Sequence, residues 1–532
     1  MRQNSTPAKI LIRGTNWVGD AVMTLPAVAA VADHFSKAEI TVLTRPWAAG
    51  VYQGQAGVKN VLADEKSGLG GRLRLAKMLR GQRFDLAILF QNAFGAALTS
   101  AMAGIPRRWG YARDGRRLLL SRPVEVTGAD TQVHEVFYYL GLLERLGLYA
   151  PYRAPRLAVN AEAKTLAENM LREEGLPPGE KPLLIAPGAA FGSAKRWPVE
   201  YFAETARLIL KERPGWTVIV GGQGEKSAAD DLAALLPGPV LNLAGRTSLM
   251  LAMAVIEKGA LMLTNDSGLM HIAGALNVPL VAAFGPTNPR TTAPLGPSRL
   301  IRSKAHCSPC LKRECPLPRQ ICWDDVTPDS AFKAALELLN PPPLKPGHSP
   351  AVFLDRDGTI NREVEYLARP EQLDLIKGSG PAVSALNRAG YKVVVATNQS
   401  GLARGFFTDA DLEKIHLRLV ELLAIDGARL DGVYFCPHHP EGTVAEYARS
   451  CRCRKPESGL FERAAKDLKI DLAHSVWVGD RIRDIAAAEK FGGRSVLVTT
   501  GYGLTEVSQP LDFQPTVVAP DLRRAVGWIV NS

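Results

Sequence analysis

Short apolar runs, each closed by glycine, asparagine or aspartate, recur along the chain at the spacing of strands that alternate with helices. Lys9–Arg13 (KILIR) reads as a buried strand, followed by a turn and a helix over Ala21–Phe35. Glu39–Leu43 and Asp85–Phe90 extend the series, with helical stretches between them. A second series opens at Pro182–Ala186 (PLLIA). It passes through Thr217–Val220, Leu261–Thr264 and Leu280–Phe284 and ends near Leu339. A third opens at Ala351–Leu354 and continues with strands at Lys392–Ala396 and Ser475–Val478. This alternation predicts parallel sheets with helices on both faces, an α/β fold class with three doubly wound units.

Asn340–Pro350 (NPPPLKPGHSP) interrupts the pattern. Proline fixes φ and lacks a donor, so this stretch forms neither helix nor strand and reads as a semi-rigid linker. The expected division is 1–175, 176–340, a linker over 341–349, and 350–532. Two successive units of similar size imply a cleft fed by the carboxyl ends of their strands.

Composition changes this picture little. The apolar fraction is 46% and the charged fraction 22%, which excludes a disordered chain. No uninterrupted apolar run reaches the roughly 18 residues that a membrane span needs. The start, MRQNSTPAKILIRG, passes from a polar tail straight into a strand, so no secretory signal is read and a cytoplasmic location is expected.

Charge changes it more. From residue 350 onward 23 Lys+Arg stand against 24 Asp+Glu, leaving 41 against 29 before that point. The whole surplus of +11 therefore lies in the N-terminal part. A nucleic-acid partner is not supported, because no helix-turn-helix, zinc-finger or stacking motif accompanies the charge. An anionic ligand at a membrane face and a merely solvated basic surface both remain open.

The strand at 351–354 ends in Asp355-Arg356-Asp357-Gly358-Thr359. Carboxylates at i and i+2 after a buried strand can both reach a hydrated Mg²⁺ and a phosphate. Asp355 is placed to attack phosphorus, and Asp357 to protonate the leaving oxygen and later activate water. The next strand ends in Thr397-Asn398-Gln399-Ser400, whose hydroxyls and amides suit phosphoryl oxygens. Lys455 supplies a cation, and Gly479-Asp480 a further carboxylate for the metal, with Asp484 one turn on. Between these elements lie Cys436, His438, Cys451 and Cys453, in C-x-H and C-x-C pairs, the set for a closed structural zinc site. His439 has the wrong spacing and reads as a bystander.

In the N-terminal part, Asn16-Trp17-Val18-Gly19-Asp20 follows the first strand, and Asp20 reads either as a cleft-rim carboxylate or as a helix N-cap. After PLLIA comes Pro187–Pro198, where small residues allow close backbone approach and Lys195 or Arg196 can neutralise a diphosphate. Asn265-Asp266-Ser267-Gly268-Leu269-Met270-His271 follows a later strand. A helix starting at Ser267 would aim free N–H groups at an anion, with Ser267 and His271 on one face. Cys307, Cys310, Cys315 and Cys322 form another cluster, compatible with a metal site or with a reduced structural loop.

Two resemblances are carried by these motifs. DRDGTIN, TNQSGLARG, CPHHP, CRCRKP and VGD resemble the heptose 1,7-bisphosphate phosphatases of the haloacid dehalogenase superfamily, over residues 350–505. That resemblance implies Asp355 as nucleophile and Asp357 as acid/base, with Thr397 and Lys455 on the transferring phosphoryl group. It gives Asn398, Gln399, Ser400, Arg454 and Arg481 to the substrate, Asp355, Asp357 and Asp480 to Mg²⁺, and the cysteine–histidine set to Zn²⁺. Histidinol-phosphate phosphatases, which use a similar zinc loop, are the nearest alternative.

WVGD, FGSAKRWP and NDSGLMH resemble the ADP-heptose:lipopolysaccharide heptosyltransferases, over residues 8–340. That implies two Rossmann-like domains in a glycosyltransferase B arrangement, with Asp20 as the base of an inverting transfer. Lys195, Ser267, Gly268 and His271 would meet the departing ADP, Asp266 the sugar and Glu225 the ribose. The implied partners are ADP-heptose, heptose 1,7-bisphosphate and a lipopolysaccharide core acceptor, with peripheral contact at the inner membrane. A transferase for another sugar nucleotide, or one half serving as a binding module, are the competing readings.

Overall fold

The computed structural model describes residues 6–65, 68–189, 192–509 and 513–532. It divides into two compact units. One comprises residues 1–126, 138–150 and 154–342, and the other 127–137, 151–153 and 343–532. Among the described residues no helix is long and apolar enough to cross a membrane.

The first unit holds two six-stranded parallel sheets. In one, β1 (Lys9–Arg13), β2 (Glu39–Thr44), β3 (Val58–Ala63), β4 (Leu86–Leu89), β5 (Arg107–Tyr111) and β6 (Arg122–Val124) run in the order β3-β2-β1-β4-β5-β6. In the other, β7 (Leu183–Ala186), β8 (Thr217–Ile219), β9 (Val240–Asn242), β10 (Leu261–Asn265), β11 (Leu280–Phe284) and β12 (Ser298–Arg302) run β12-β11-β10-β7-β8-β9. In both, the chain reverses direction of winding beside the first strand, which opens a crevice at the strands' carboxyl ends. The central strands β1, β4, β7, β10 and β11 are almost wholly buried, which is why they read as continuous apolar runs. The strands that the hydrophobic pattern does not predict lie towards the edges. β3 (VKNVLA), β5 (RRWGY) and β6 (RPV) carry charge or proline, as strands at or near an edge do.

The helix after β1 spans Val18–His34, so it starts three residues before the expected Ala21. Tertiary packing overrides the low helix propensity of glycine there. A Cβ on Gly19 would come within 2.6 Å of the His271 ring, and one on Gly268 within 2.9 Å of Val18. Close approach of the helices Val18–His34 and Gly268–Ala275 thus draws Asp20 into the first helical turn.

The second unit holds β13 (Ala351–Leu354), β14 (Lys392–Asn398), β15 (Gly432–Cys436), β16 (Val476–Gly479), β17 (Arg494–Val498) and β18 (Val517–Ala519), all parallel, in the order β15-β14-β13-β16-β17-β18. β13 and β16 are neighbours in register, and they end at Asp355 and Asp480. Phe353 and Trp477 are cross-strand partners whose rings stack 5.1 Å apart. Phe461 and Phe491 close around Trp477 at 5.7 and 5.9 Å. Trp477→Ala should therefore leave a cavity under both acid-bearing strands and cost about 3–5 kcal/mol. The expected result is a lowered denaturation midpoint for the second unit's transition, and an unchanged midpoint would refute this account of the core.

Candidate active sites

In the second unit the carboxyl ends of β13, β14 and β16 bring the charged groups together. Lys455 is 2% exposed, and its Nζ donates to Asp355 Oδ1 (2.6 Å), to the Ala396 carbonyl (2.6 Å) and to Asp484 Oδ1 (2.8 Å). Burial alone would discharge the amine, but the two carboxylates hold its pKa above the ordinary value. Oxygens of Asp355, Asp480 and Asp484 all lie within 4.8 Å of one another. Three clustered carboxylate oxygens are the donor chemistry of a hard divalent cation. Burial, with Asp484 next, pushes Asp355 upward, and burial with Asp355 and Asp484 does the same for Asp480.

Asp357, expected as a further metal carboxylate, turns its side chain elsewhere. It takes Arg356 Nη2 (2.8 Å), Asn361 Nδ2 (3.0 Å) and Gln399 Nε2 (3.0 Å). Burial works against ionisation, yet the Arg356 guanidinium holds this carboxyl below the usual range. Asp484 stands in the carboxylate set in its place.

Asn398 and Gln399 also do something other than line the phosphate site. The Asn398 amide donates to the Lys455 carbonyl (3.1 Å) and accepts from the Lys455 N–H (3.0 Å), fixing the loop that carries the cation. Gln399 donates to Thr397 Oγ1 (2.8 Å) as well as to Asp357. Ser400 begins the short helix Ser400–Ala403. The backbone is tight around Asp480. Gly358 and Gly501 adopt φ of +76° and +54°, and a Cβ on either would lie about 2 Å from Asp480 Oδ2.

Asp355, Asp357, Asp480 and Asp484 line one cavity together with Arg454, Arg481, Arg483 and Glu363. The Arg481 guanidinium lies 3.5 Å over the Tyr502 ring. Burial, then Asp357 and Asp355, raise Glu363 to about 7. Arg483 carries no motif signature. Asp484 has a readable signal, a carboxylate one helical turn beyond Asp480.

Cys436, His438, Cys451 and Cys453 present ligand atoms within 4.8 Å of one another. The sulfur–sulfur distances are 3.1–3.5 Å, and His438 Nδ1 faces Cys453 Sγ at 3.3 Å. His438 Nε2 meets Arg449 Nη2 (3.0 Å), which leaves Nδ1 to face the thiols. The set suits one tetrahedral ion such as zinc. Arg454 Nη1 donates to the His438 carbonyl (3.0 Å), so this loop also sets the position of a cavity arginine. His439 stays outside the set and accepts from the Glu441 N–H.

In the first unit Lys195 Nζ binds Asp266 Oδ2 at 2.6 Å, both side chains largely buried. Asp20 lies within their field. Burial raises its carboxyl to about 6, with Lys195 lowering it and Asp266 raising it. His271 is buried and lowered by desolvation to about 4, so it is neutral. Ser267 precedes the helix Gly268–Ala275 in extended backbone, and its side chain makes no capping hydrogen bond. Glu225 accepts from the Gly222 N–H (2.7 Å) and abuts Gly188, where a Cβ would collide with its carboxylate.

The Asn265 side chain was not singled out from the sequence, yet it organises this loop. Wholly buried, it donates to the Pro187 carbonyl (2.7 Å) and accepts from the Trp197 N–H (2.9 Å), clasping both ends of the segment that carries Lys195. Ala190 and Phe191 of that segment lie outside the described residues. The loop of Cys307, Cys310, Cys315 and Cys322 buttresses it. The Arg313 carbonyl accepts from the Ala194 N–H (3.0 Å), and Gln320 Nε2 donates to the Ala194 carbonyl (3.0 Å). Burial first, then the other three cysteines, raise Cys322 to about 11.

Paired doubly wound sheets with a carboxylate and a lysine–aspartate pair near their junction define a nucleotide-sugar glycosyltransferase. A strand-end aspartate beside a buried lysine and a carboxylate cluster is the arrangement of a phosphatase of the haloacid dehalogenase type.

Residues 72–321 match glycosyltransferase family 9 (heptosyltransferase), and residues 452–525 match the HAD-hydrolase-like family. The structure of E. coli ADP-heptose lps heptosyltransferase II has 30% sequence identity and a TM-score of 0.54, over 62% of this chain and 98% of that one. A D-glycero-D-manno-heptose-1,7-bisphosphate 7-phosphatase of Thermosynechococcus vestitus is 48% identical over 186 residues, 34% of this chain and 95% of that protein. A D-glycero-beta-D-manno-heptose-1,7-bisphosphate 7-phosphatase of Vibrio cholerae is 43% identical over 183 residues, 34% of this chain and 97% of that protein. The chain belongs to the family 9 heptosyltransferases through its N-terminal part and to the heptose-bisphosphate phosphatases through its C-terminal part.

The clustered carboxylates make a stability prediction. A group whose folded pKa is raised contributes stability that is complete below its unfolded value and is lost as pH climbs through the folded one. Asp355 and Asp480 are such groups. Without a divalent cation, the second unit should lose stability as pH rises above the ordinary carboxylate range. Magnesium chloride should then raise its denaturation midpoint more at pH 8 than at pH 5. Equal increments at both pH values would contradict the clustering.

Proposed function

We propose that this chain acts on the heptose of lipopolysaccharide with two independent sites. The second unit removes the 7-phosphate of heptose 1,7-bisphosphate, and the first transfers heptose from ADP-heptose to the lipopolysaccharide core. The observation that carries this reading is the complete charge-handling set in each part, Asp355–Lys455–Asp484–Asp480 in one and Asp20–Lys195–Asp266 in the other, within folds whose relatives bear those names.

In the phosphatase, an Asp355 oxygen attacks phosphorus and the bond from phosphorus to the sugar oxygen breaks. Asp357 gives that oxygen a proton. The incoming phosphate's negative charge raises the Asp357 pKa towards the protonated form that this step needs. Asp357 then takes a proton from the water that attacks phosphorus, and Asp355 is released. Lys455 and Thr397 hold the phosphoryl oxygens, and Arg454 and Arg481 orient the sugar phosphate. Asp355 and Asp480, with Asp484 beside them, would hold Mg²⁺, which supplies charge neutralisation at phosphorus.

In the transferase, Asp20 takes the proton of the acceptor hydroxyl. That oxygen bonds to the anomeric carbon from the face opposite the departing diphosphate, whose bond to carbon breaks. A carboxyl raised to about 6 is ionised at neutral pH and is a stronger base than an exposed aspartate. Lys195 exchanges Asp266 for the diphosphate, the start of the helix Gly268–Ala275 faces the same charge, and Glu225 meets the ribose. The basic N-terminal part suits peripheral contact with an anionic membrane face in the cytoplasm.

Crossed variants of the full-length chain provide the test. Asp355→Asn should lower hydrolysis of heptose 1,7-bisphosphate by about a thousandfold or more and leave transfer from ADP-heptose intact, and Asp20→Asn should do the reverse. Hydrolysis that survives Asp355→Asn, or transfer that survives Asp20→Asn, removes that residue from its role. The cysteine–histidine set is assigned to structural Zn²⁺. Purified protein should carry zinc at that site, and Cys453→Ser should lose it along with the stability of the second unit. Metal analysis showing the same zinc content in Cys453→Ser would refute the assignment.

A further inference from the structure

Two large indoles face solvent at the carboxyl ends of β1 and β2. Trp17 is 49% exposed and Trp47 is 55% exposed. Single exposed apolar residues are ordinary, but these two are linked. Trp47 Nε1–H donates to the Asn16 carbonyl at 2.7 Å, pinning the loop after β2 to the backbone immediately before Trp17. Strands β1 and β2 are parallel neighbours, with Arg13 opposite Leu43, so both loops leave the same edge of the sheet.

A cation is fixed at the same place. The Arg45 guanidinium lies 5.6 Å from the centre of the Trp47 ring, and Arg45 Nη1 donates to the Asp64 carbonyl at 2.9 Å. The Asp64 carboxylate is held by Arg13 at 2.8 Å, with both side chains largely buried. The platform therefore rests on a buried ion pair. Trp17 is the N-cap of the helix Val18–His34, and Asp20 follows it in the first turn. Trp17 thus stands three residues before the carboxylate assigned as base, and Trp47 with Arg45 is tied to the same loop through Asn16.

The C–H face of a sugar ring carries partial positive charge and packs against the electron-rich face of an indole, as a cation does. An arginine beside that face adds a donor for phosphate or carboxylate. We propose that Trp17, Trp47 and Arg45 form an acceptor subsite for an anionic saccharide. The sugar next to the reacting residue stacks on the indoles, and its charged substituent meets Arg45. The surplus of 41 Lys+Arg over 29 Asp+Glu before residue 350 gives the charge complementarity that such an acceptor needs. This proposal rests on the reading of Asp20 as transferase base.

Initial-rate kinetics of the full-length protein, with ADP-heptose and a heptose-bearing core saccharide varied in turn, provide the test. Trp47→Ala should raise the acceptor KM about tenfold while the ADP-heptose KM stays near that of the wild type. Trp47→Phe should recover most of the lost acceptor affinity, because it restores an aromatic face. An unchanged acceptor KM in Trp47→Ala, an equal rise in both KM values, or a Trp47→Phe variant no better than Trp47→Ala would overturn the subsite. Wild-type transfer combined with an indifferent Trp47→Ala sinks the subsite alone. No wild-type transfer from ADP-heptose sinks the transferase reading beneath it.

Discussion

A buried lysine ammonium, shared between two carboxylates, is the interaction on which the second unit's chemistry depends. Asp355, at the end of its strand, and Asp484, on the helix that follows the neighbouring strand, could not sit together as buried anions without Lys455 between them. The same problem is met on a smaller scale in the first unit, where Lys195 and Asp266 neutralise each other beside Asp20. In both, folding places charge where the backbone has run out of strand and the side chain must face the crevice. In both, the cation arrives on a loop far away in sequence. The loops are held by amide side chains, Asn398 in one unit and Asn265 in the other, each gripping backbone on a remote segment.

Much of this arrangement was legible in the residues alone. Buried central strands such as KILIR, PLLIA and AVFL announce themselves because parallel sheets hide both faces. Strands such as β3, β5 and β6 did not, because they trade apolar character for charge or proline. Asp355 and Asp480 could be read from the order of strand ends, and Lys455 from its place in the chain between them. The clustering of Cys436, His438, Cys451 and Cys453 could be read from their spacing. The pairing choices could not. Asp357 follows Asp355 by two positions, yet its side chain is captured by Arg356, Asn361 and Gln399, whereas Asp484 enters the carboxylate cluster from a helix. Which of two nearby carboxylates joins the cluster is decided by rotamers and neighbours, not by spacing. The roles of Asn398 and Asn265 were hidden for the same reason, since a buried amide reveals its partners only in three dimensions.

The two activities are chemically separated as well as structurally distinct. On the proposed reading, the phosphatase releases a sugar that still carries its anomeric phosphate, while the transferase needs a sugar activated as a nucleoside diphosphate. A nucleotidyl transfer must intervene, and neither site described above is built for it. Joining the two in one chain therefore fixes their ratio without passing an intermediate from one to the other.

The grip of Asn398 on Lys455 has one further consequence. An amide presents a donor to the carbonyl and an acceptor to the N–H, and a carboxylate in its place would set a bare oxygen against the carbonyl. Hydrolytic deamidation at this one position would thus loosen the loop that carries the buried cation. Chemical ageing of the protein could silence the hydrolase while leaving the other catalyst of the chain at work.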